Sequence, residues 1–404
     1  VGRILFITNL LPFPLDNGGK IKTYNTIVAL SQHYEIDLLS FVNNIEDKKN
    51  ISGLYKYVSS CKVIAKTLIR STSRIAFMKD YLKSLISKRP YSINKFYEKN
   101  FEEECLVLLK ENKYDFVYVD HLPMMVYREN FKGLPILLDQ HNVESEIFNR
   151  MVKNDSNILK MLLGRWEYFK LKKFEYESML QASHIISLSE NDKSNFVRLG
   201  INQSKISVLP IHINVSYLKK WSQNNSEDNL NILFLGSMSW YPNQEGIRWF
   251  LGNVWPRIDS LKFNLYIVGG NPPKNITDYH NGSNIFVTGY VDNVDEFIEK
   301  CHLSIVPLFI GSGQRVKIIE SFGKNLPVLS TTIGAEGLIY NDEENILIAN
   351  EKEEFIEKLI QLKSQPEILK ILARNGRKNF EANYSSELLP TKLIKIINKM
   401  MSEV

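Results

Sequence analysis

Thirteen short apolar runs alternate with longer amphipathic stretches along almost the whole chain, and that alternation restricts the fold more than any other feature. RILFITN (3–9), YEIDLLSFV (34–42), KVIAK (62–66), DFVYVD (115–120), PILLDQ (135–140), HIISLS (184–189) and ISVLP (206–210) have the length and branched or aromatic content of buried strands. Helical stretches such as 20–33 and 95–110 lie between them. Strands separated by helices imply right-handed crossovers and a parallel sheet covered on both faces. The rhythm pauses over 211–230, where IHINVSYLKKWSQNNSEDN is polar and predicts a linker. It restarts with NILFLGS (231–237), NLYIVGG (264–270), IFVTGY (285–290), LSIVPL (303–308), PVLSTT (327–332) and NILIAN (345–350). The tail from Glu353 onward is helix-rich, with a break expected near Tyr384.

With 404 residues, this pattern predicts two successive doubly wound α/β domains. The boundaries expected are 1–214 and 215–384, with 385–404 a final helix. No run reaches the ~18 apolar residues of a spanning helix. VGRILFITNL is strand-like and unlike a signal peptide. Cys61, Cys105 and Cys301 are too far apart in sequence to suggest a disulfide framework or a metal cluster, and the expectation is a reducing cytoplasm. The seven histidines show no metal-ligand spacing.

The net charge of +5 is mild but unevenly placed: 48–99 holds 13 Lys or Arg against Asp80 and Glu98. Interleaved with Ile, Phe, Met, Tyr and Leu, this stretch reads either as a solvated helix face or as a surface for anionic lipid or a phosphate-bearing acceptor. It lacks a nucleic-acid recognition module, so no nucleic acid is expected as a partner.

Open parallel sheets bind ligands beyond the carboxyl ends of their strands, where helix N-termini favour anions. Five segments fall at such ends. FITNLLPFPLDNGGK (6–20) places Gly18 and Gly19 before a helix, where backbone N–H groups can approach a diphosphate or an acceptor; a plain turn suits two glycines equally. In LLDQHNVES (137–145), His141 follows a strand end, suited to binding a sugar hydroxyl or to acid–base work, or simply to capping, with Asn142 the expected helix cap. His121 occupies a similar position. SLSENDKSNF (187–196) reads as capping by Ser189 or Glu190. In FLGSMSWYPNQEG (234–246), Gly236 ends a strand and permits close approach of a phosphate, Asn243 is an expected cap, and Trp240 an expected core residue.

The richest segment is VPLFIGSGQRVKIIESFGKNLPVLSTTIGAEGL (306–338). Gly311, Ser312 and Gly313 form a loop before a helix expected to begin near Gln314, an anion site in the making. Arg315 offers a bidentate fork and Lys317 a point charge for a diphosphate. Glu320 is spaced to accept hydrogen bonds from paired hydroxyls such as those of a ribose.

GSGQRVKIIESFGKNLPVLSTTIGAEGL, with VTGYVDNVDEF upstream, resembles the donor half of GT-B-fold glycosyltransferases of family 4. GSMSWYPN and DQHNVES are similar to a bacterial branch concerned with surface polysaccharide and glycolipid assembly. The resemblance implies a GT-B architecture, two Rossmann-like doubly wound parallel-sheet domains facing a cleft. The first would take a glycan or lipid-linked acceptor and the second a nucleoside-diphosphate sugar, with the last helix returning to pack on the first. It implies transfer with retention and no metal or other cofactor. Arg315 and Lys317 would hold the diphosphate, Glu320 the ribose, and Tyr290 and Val291 the base. Gly18 and Gly19 would lie near the acceptor or diphosphate, and His141 near the transferred sugar. The family pattern has two glutamates separated by seven residues; here Glu320 matches the second and Ser312 stands at the first. Two alternatives stay open on the same fold: a UDP-sugar 2-epimerase, and a non-catalytic partner that binds nucleotide or glycan.

Overall fold

The computed structural model describes residues 2–15, 17–66, 84, 87, 89–153, 158–216, 218–220, 229–311 and 313–403. Two compact units divide the chain, Val1–Pro210 with Glu387–Val404, and Ile211–Ser386. The longer helices are α1 (Gly18–Leu30), α2 (Lys99–Glu111), α3 (Glu144–Lys153), α4 (Ile158–Gln181), α5 (Glu190–Arg198), α6 (Tyr241–Asn253), α7 (Val316–Gly323), α8 (Lys352–Ser364), α9 (Glu367–Asn383) and α10 (Leu389–Ser402).

The first unit is built on β1 (Gly2–Thr8), β2 (Tyr34–Val42), β3 (Ser60–Ala65), β4 (Phe116–Asp120), β5 (Ile136–Gln140), β6 (His184–Ser187) and β7 (Ile206–Val208). They form one parallel sheet in the order β3-β2-β1-β4-β5-β6-β7. Ile4 and Phe6 pair with Ile36 and Leu38 on one side and with Phe116 and Tyr118 on the other. Because successive side chains alternate, Ile4, Phe6 and Tyr118 enter a core with α1 and α10, while Leu5, Ile7 and Val119 enter a second core on the opposite face. Both faces being covered, the strands read as nearly unbroken apolar runs. Phe6 and Tyr118 stack with ring centroids 4.6 Å apart, a contact of about 0.5–1.5 kcal/mol beyond its burial.

Leu389, Leu393, Ile396, Ile397 and Met400 of α10 bury against Ile27 and Leu30 of α1, so the last helix belongs to the first unit. The expected break occurs where α9 gives way at Tyr384.

The second unit holds β8 (Leu230–Leu235), β9 (Phe263–Val268), β10 (Ile285–Gly289), β11 (Leu303–Val306), β12 (Val328–Ser330) and β13 (Leu347–Ile348), parallel in the order β10-β9-β8-β11-β12-β13. Ile232, Phe234, Leu265 and Ile305 pack with α6 and α8 through Ile247, Phe250, Phe355 and Leu359. Leu233, Tyr266 and Val268 pack the other face with Ile298 and Leu326.

The stretch 211–230, polar enough to suggest a linker, is in part built into this unit. Ile211 and Ile213 are buried, and Ile213 exchanges backbone hydrogen bonds with Tyr384 and Ser386. Residues 221–228 of it lie outside the described residues. In each unit strand order reverses direction once, between β1 and β4 and between β8 and β11. Such a switch point leaves a crevice at the carboxyl ends of the two strands.

Candidate active site

At the β8/β11 switch point, β8 runs into Gly236. A Cβ there would sit 2.6 Å from Lys317 Nζ and 2.6 Å from Asn243 Nδ2, so only glycine leaves room for both side chains. The loop after β11 carries Gly311 and Gly313 with φ of 134° and 78°, backbone that side-chain-bearing residues seldom adopt. Ser312 between them lies outside the described residues. Gln314 anchors the loop, accepting from the Ile211 N–H at 2.8 Å and donating to the Gly337 carbonyl at 2.7 Å.

The following helix α7 begins at Val316, two residues later than expected, with Arg315 at its N-cap position. Arg315 is buried, donates to the Gly313 carbonyl at 3.0 Å, and lays its guanidinium 5.3 Å from the Trp240 ring centre. Trp240 is 40% exposed and thus forms no part of the core, contrary to expectation. Lys317 Nζ donates to Asn243 Oδ1 at 2.8 Å. Burial and, secondarily, the Arg315 charge pull this ammonium down to about 7.

Asn243 is not a helix cap. It lies inside α6, whose N-cap position is Trp240, and its Nδ2 donates to the Ser237 carbonyl at 2.8 Å. The reason is that a capping side chain must precede the first turn, whereas Asn243 falls within it. The result is a polar floor of Gly236, Asn243, Arg315 and Lys317 at the amino end of α7.

Glu320 lies one turn further on and pairs with Lys324 at 2.6 Å, which also holds Asp295 at 2.6 Å. Tyr290, 77% exposed, follows β10 and lies beside Gly270 at the end of β9, while Val291 packs partly into the adjoining core.

A second polar cluster occupies the β1/β4 switch point of the first unit. Asp120 Oδ2 accepts from the Thr8 and Thr23 hydroxyls at 2.7 and 2.8 Å, and its Oδ1 lies 2.7 Å from His141 Nε2. Lys22 of α1 ion-pairs with Asp139 and stands 3.1 Å from the same His141 nitrogen. Tyr118 also donates to Asp139. His121 and His141 lie with ring centroids 3.5 Å apart and their planes tilted by 36°. His121 has φ of 78°, a strained position for a non-glycine residue at a strand end. Burial and the neighbouring His141 push its imidazole well below the ordinary range. Burial alone would raise the Asp120 carboxyl; the His141 ring, His121 and Lys22 outweigh it and hold it well below the usual range. The ligating atoms of Asp120, His121 and His141 lie within 4.8 Å of one another, a spacing a metal site can have. The Lys22 ammonium among them opposes a second cation there.

The sequence pointed to the two histidines but missed Lys22, Thr23, Asp120 and Asp139. Lys22 and Thr23 could have been found as polar positions on the buried face of an otherwise apolar helix pattern. Gly18 and Gly19 open α1 itself, capped by Asn17, whose side chain accepts from the Lys20 N–H at 3.0 Å. The expected Asn142 cap is replaced by Glu175 of α4. Its carboxylate accepts from the Glu144 N–H at 2.9 Å and the Ser145 hydroxyl, covering the amino end of α3. Ser189 caps α5 as expected.

Of the basic stretch 48–99, residues 67–83, 85, 86 and 88 lie outside the described residues. Elsewhere in it Lys62, Lys66 and Lys99 pair with Glu104, Glu98 and Glu103. No described helix is long and apolar enough to cross a membrane.

Residues 229–365 match the family described as "Glycosyl transferases group 1". An "Uncharacterized 44.6 kDa protein in cps region" of Klebsiella pneumoniae is 22% identical over 98% of this chain and 100% of that protein. Sucrose-phosphate synthase from Thermosynechococcus elongatus aligns over 100% of both chains at 14% identity with a TM-score of 0.75. HepE of Anabaena, in complex with UDP and glucose, aligns over 98% of this chain and 100% of its own at 12% identity and a TM-score of 0.68. TarM aligns over 98% and 99% at 13% identity and a TM-score of 0.71. The chain thus has a GT-B fold of two Rossmann-like parallel-sheet units, and the match to the glycosyl transferases group 1 family falls within the second of them.

Proposed function

We propose that this protein is a retaining, metal-independent glycosyltransferase, of hexosyltransferase type. It moves a sugar from a nucleoside-diphosphate sugar to a glycan or lipid-linked acceptor in surface polysaccharide assembly. The carrying observation is the convergence of Arg315 and Lys317 on the amino end of α7 beside the gap that Gly236 leaves. A departing diphosphate gains negative charge in the transition state. Cations and N–H dipoles fixed in advance around it lower the barrier without reorganisation.

On this reading the second unit binds the donor: Arg315 and Lys317 take the diphosphate, Glu320 the ribose, and Tyr290 and Val291 the base. Gly311, Gly313 and Gly236 leave backbone room, and Ser312 joins them in binding the donor. The first unit binds the acceptor near Gly18, Gly19 and His121, and His141 lies near the transferred sugar. Attack comes from the leaving-group face, with a phosphate oxygen taking the acceptor proton.

Anabaena HepE in complex with UDP-glucose supports a nucleotide-sugar donor, and S. aureus TarM, in complex with alpha-GlcNAc-glycerol and UDP, a glycan acceptor. The Klebsiella pneumoniae relative of a cps region supports the polysaccharide setting. A cytoplasmic location, with 48–99 meeting an anionic membrane surface, completes the reading.

The test is a thermal-shift panel of UDP, GDP, ADP and their sugars on the wild-type chain. A ligand that binds the native state raises the melting temperature as RT ln(1 + [L]/Kd). A rise with one nucleoside diphosphate, abolished in Arg315→Ala, is expected. No rise with any of them overturns the donor site.

A further inference from the structure

Lys324 stands at the carboxyl end of α7, where its backbone N–H donates to the Glu320 carbonyl at 2.8 Å. Its side chain is buried, and its Nζ donates to Glu320 Oε1 and to Asp295 Oδ1, both at 2.6 Å. A lysine–glutamate pair four residues apart is commonplace on an open helix face and contributes little there. This lysine differs in being buried and in reaching a second acid on another element. Burial alone would lower the ammonium; the two carboxylates outweigh it and hold it above its ordinary value. Asp295 opens the short helix Asp295–Lys300, just beyond the segment that carries Tyr290 and Val291. Val291 and Ile298 share an apolar core with Leu326, which follows α7, so packing joins the same two segments. Glu320 and Asp295 are both half-buried and remain reachable from solvent. A glutamate held still before its ligand arrives need not be ordered on binding.

We propose that Lys324 is a positioning residue for nucleoside recognition: bridged to Asp295, it fixes the Glu320 carboxylate for a nucleoside's paired hydroxyls and ties that acid to the segment of Tyr290 and Val291. The proposal rests on the donor reading of the second unit. Lys324 touches no ligand in this scheme. Its positive charge also favours any diphosphate nearby, so its loss weakens every nucleoside diphosphate alike through charge. Positioning leaves a different mark, because it acts only on ligands that carry both hydroxyls.

The experiment is titration calorimetry of the full chain with UDP, GDP and ADP, each beside its 2′-deoxy form, in wild type, Lys324→Met and Lys324→Arg. For the nucleotide that binds, the wild type should prefer the ribose form by about 10- to 100-fold, the scale of a hydrogen bond to a charged group. In Lys324→Met that preference should shrink by roughly 2- to 10-fold, the cost of ordering one freed side chain. Lys324→Arg, whose fork can meet both acids, should keep most of it. An unchanged preference in Lys324→Met overturns the proposal, whatever happens to the affinities themselves. So does a wild type that binds the deoxy form as well as the ribose form. Should Lys324→Met not fold, Asp295→Asn cuts the other end of the bridge, and an unchanged preference there overturns the proposal equally. If none of the three nucleotides binds the wild type, the donor reading falls and takes this proposal with it. Binding with an unchanged preference removes this proposal alone.

Discussion

Lys317 donates to the side-chain oxygen of Asn243 at 2.8 Å, so the half-buried ammonium meets a neutral amide and not a carboxylate. With Arg315 next to it, the lysine is held at about 7, and a bound diphosphate would restore the proton. Nucleoside-diphosphate binding at pH 8 should therefore take up about one proton. Calorimetry in two buffers of different ionisation enthalpy measures it, and equal heats in both would rule it out. Affinity should fall as pH rises above 7. Without ligand the sign reverses: the unfolded chain keeps this proton up to the ordinary lysine value of 10.5, so stability rises with pH between about 7 and 10.5.

Arg315 combines a fork with a stacking partner in Trp240, whereas a lysine would bring only charge. Arg315→Ala should lower turnover by about 10²–10³, or roughly 2.7–4 kcal/mol, with the fold intact. Arg315→Lys should recover part of it. Steady-state kinetics with the donor identified by thermal shift provides the check, and full activity in Arg315→Ala would contradict the assignment.

Gly236→Ala puts a methyl group against the Lys317 and Asn243 side-chain ends. The end of a lysine can swing aside, so the melting temperature should change little. The ammonium, however, is pushed from its place, and nucleotide affinity should drop at least as far as in Lys317→Ala. Melting and binding curves of the two variants side by side decide this. A well-bound nucleotide in Gly236→Ala would show that the gap serves packing only.

Glu175 tests a separate part of the first unit. Burial and the Glu144 charge push its carboxyl up to about 7, against the pull of the Ser145 donors. The folded state then holds a proton that the unfolded state releases near 4.5, so this group's contribution to stability falls as pH rises from 4.5 to about 7. Glu175→Gln should flatten that part of the stability–pH curve. Denaturant melts at about pH 5 and pH 8 measure the slope, and an unchanged slope would refute the assignment.

Sheet architecture was legible because parallel strands covered on both faces cannot hide their apolar runs. YEIDLLSFV matches Tyr34–Val42 residue for residue, and the other runs overlap their strands. Side-chain roles were less legible where partners come from distant segments. Glu175 reaches the amino end of α3 from 30 residues away, and the local Asn142 gave the more obvious signal. Asn243 looked like a cap because local sequence cannot show that Lys317, 74 residues on, takes its oxygen. Arg315 and Lys317 were legible together because one loop and one helix end carry both. Lys22, Asp120 and Asp139 were not, because only the register of two strands and a helix brings them together.

The burial of Leu393, Ile397 and Met400 against α1 has a consequence for synthesis. A ribosome releases residues 1–210 long before 389–402 exist, so the earlier half must wait with Ile27 and Leu30 uncovered. The middle of the chain can finish folding first. A fragment stopping at Pro210 would keep that greasy stripe bare, which makes it a poor expression product, whereas 211–386 is the natural piece to prepare alone.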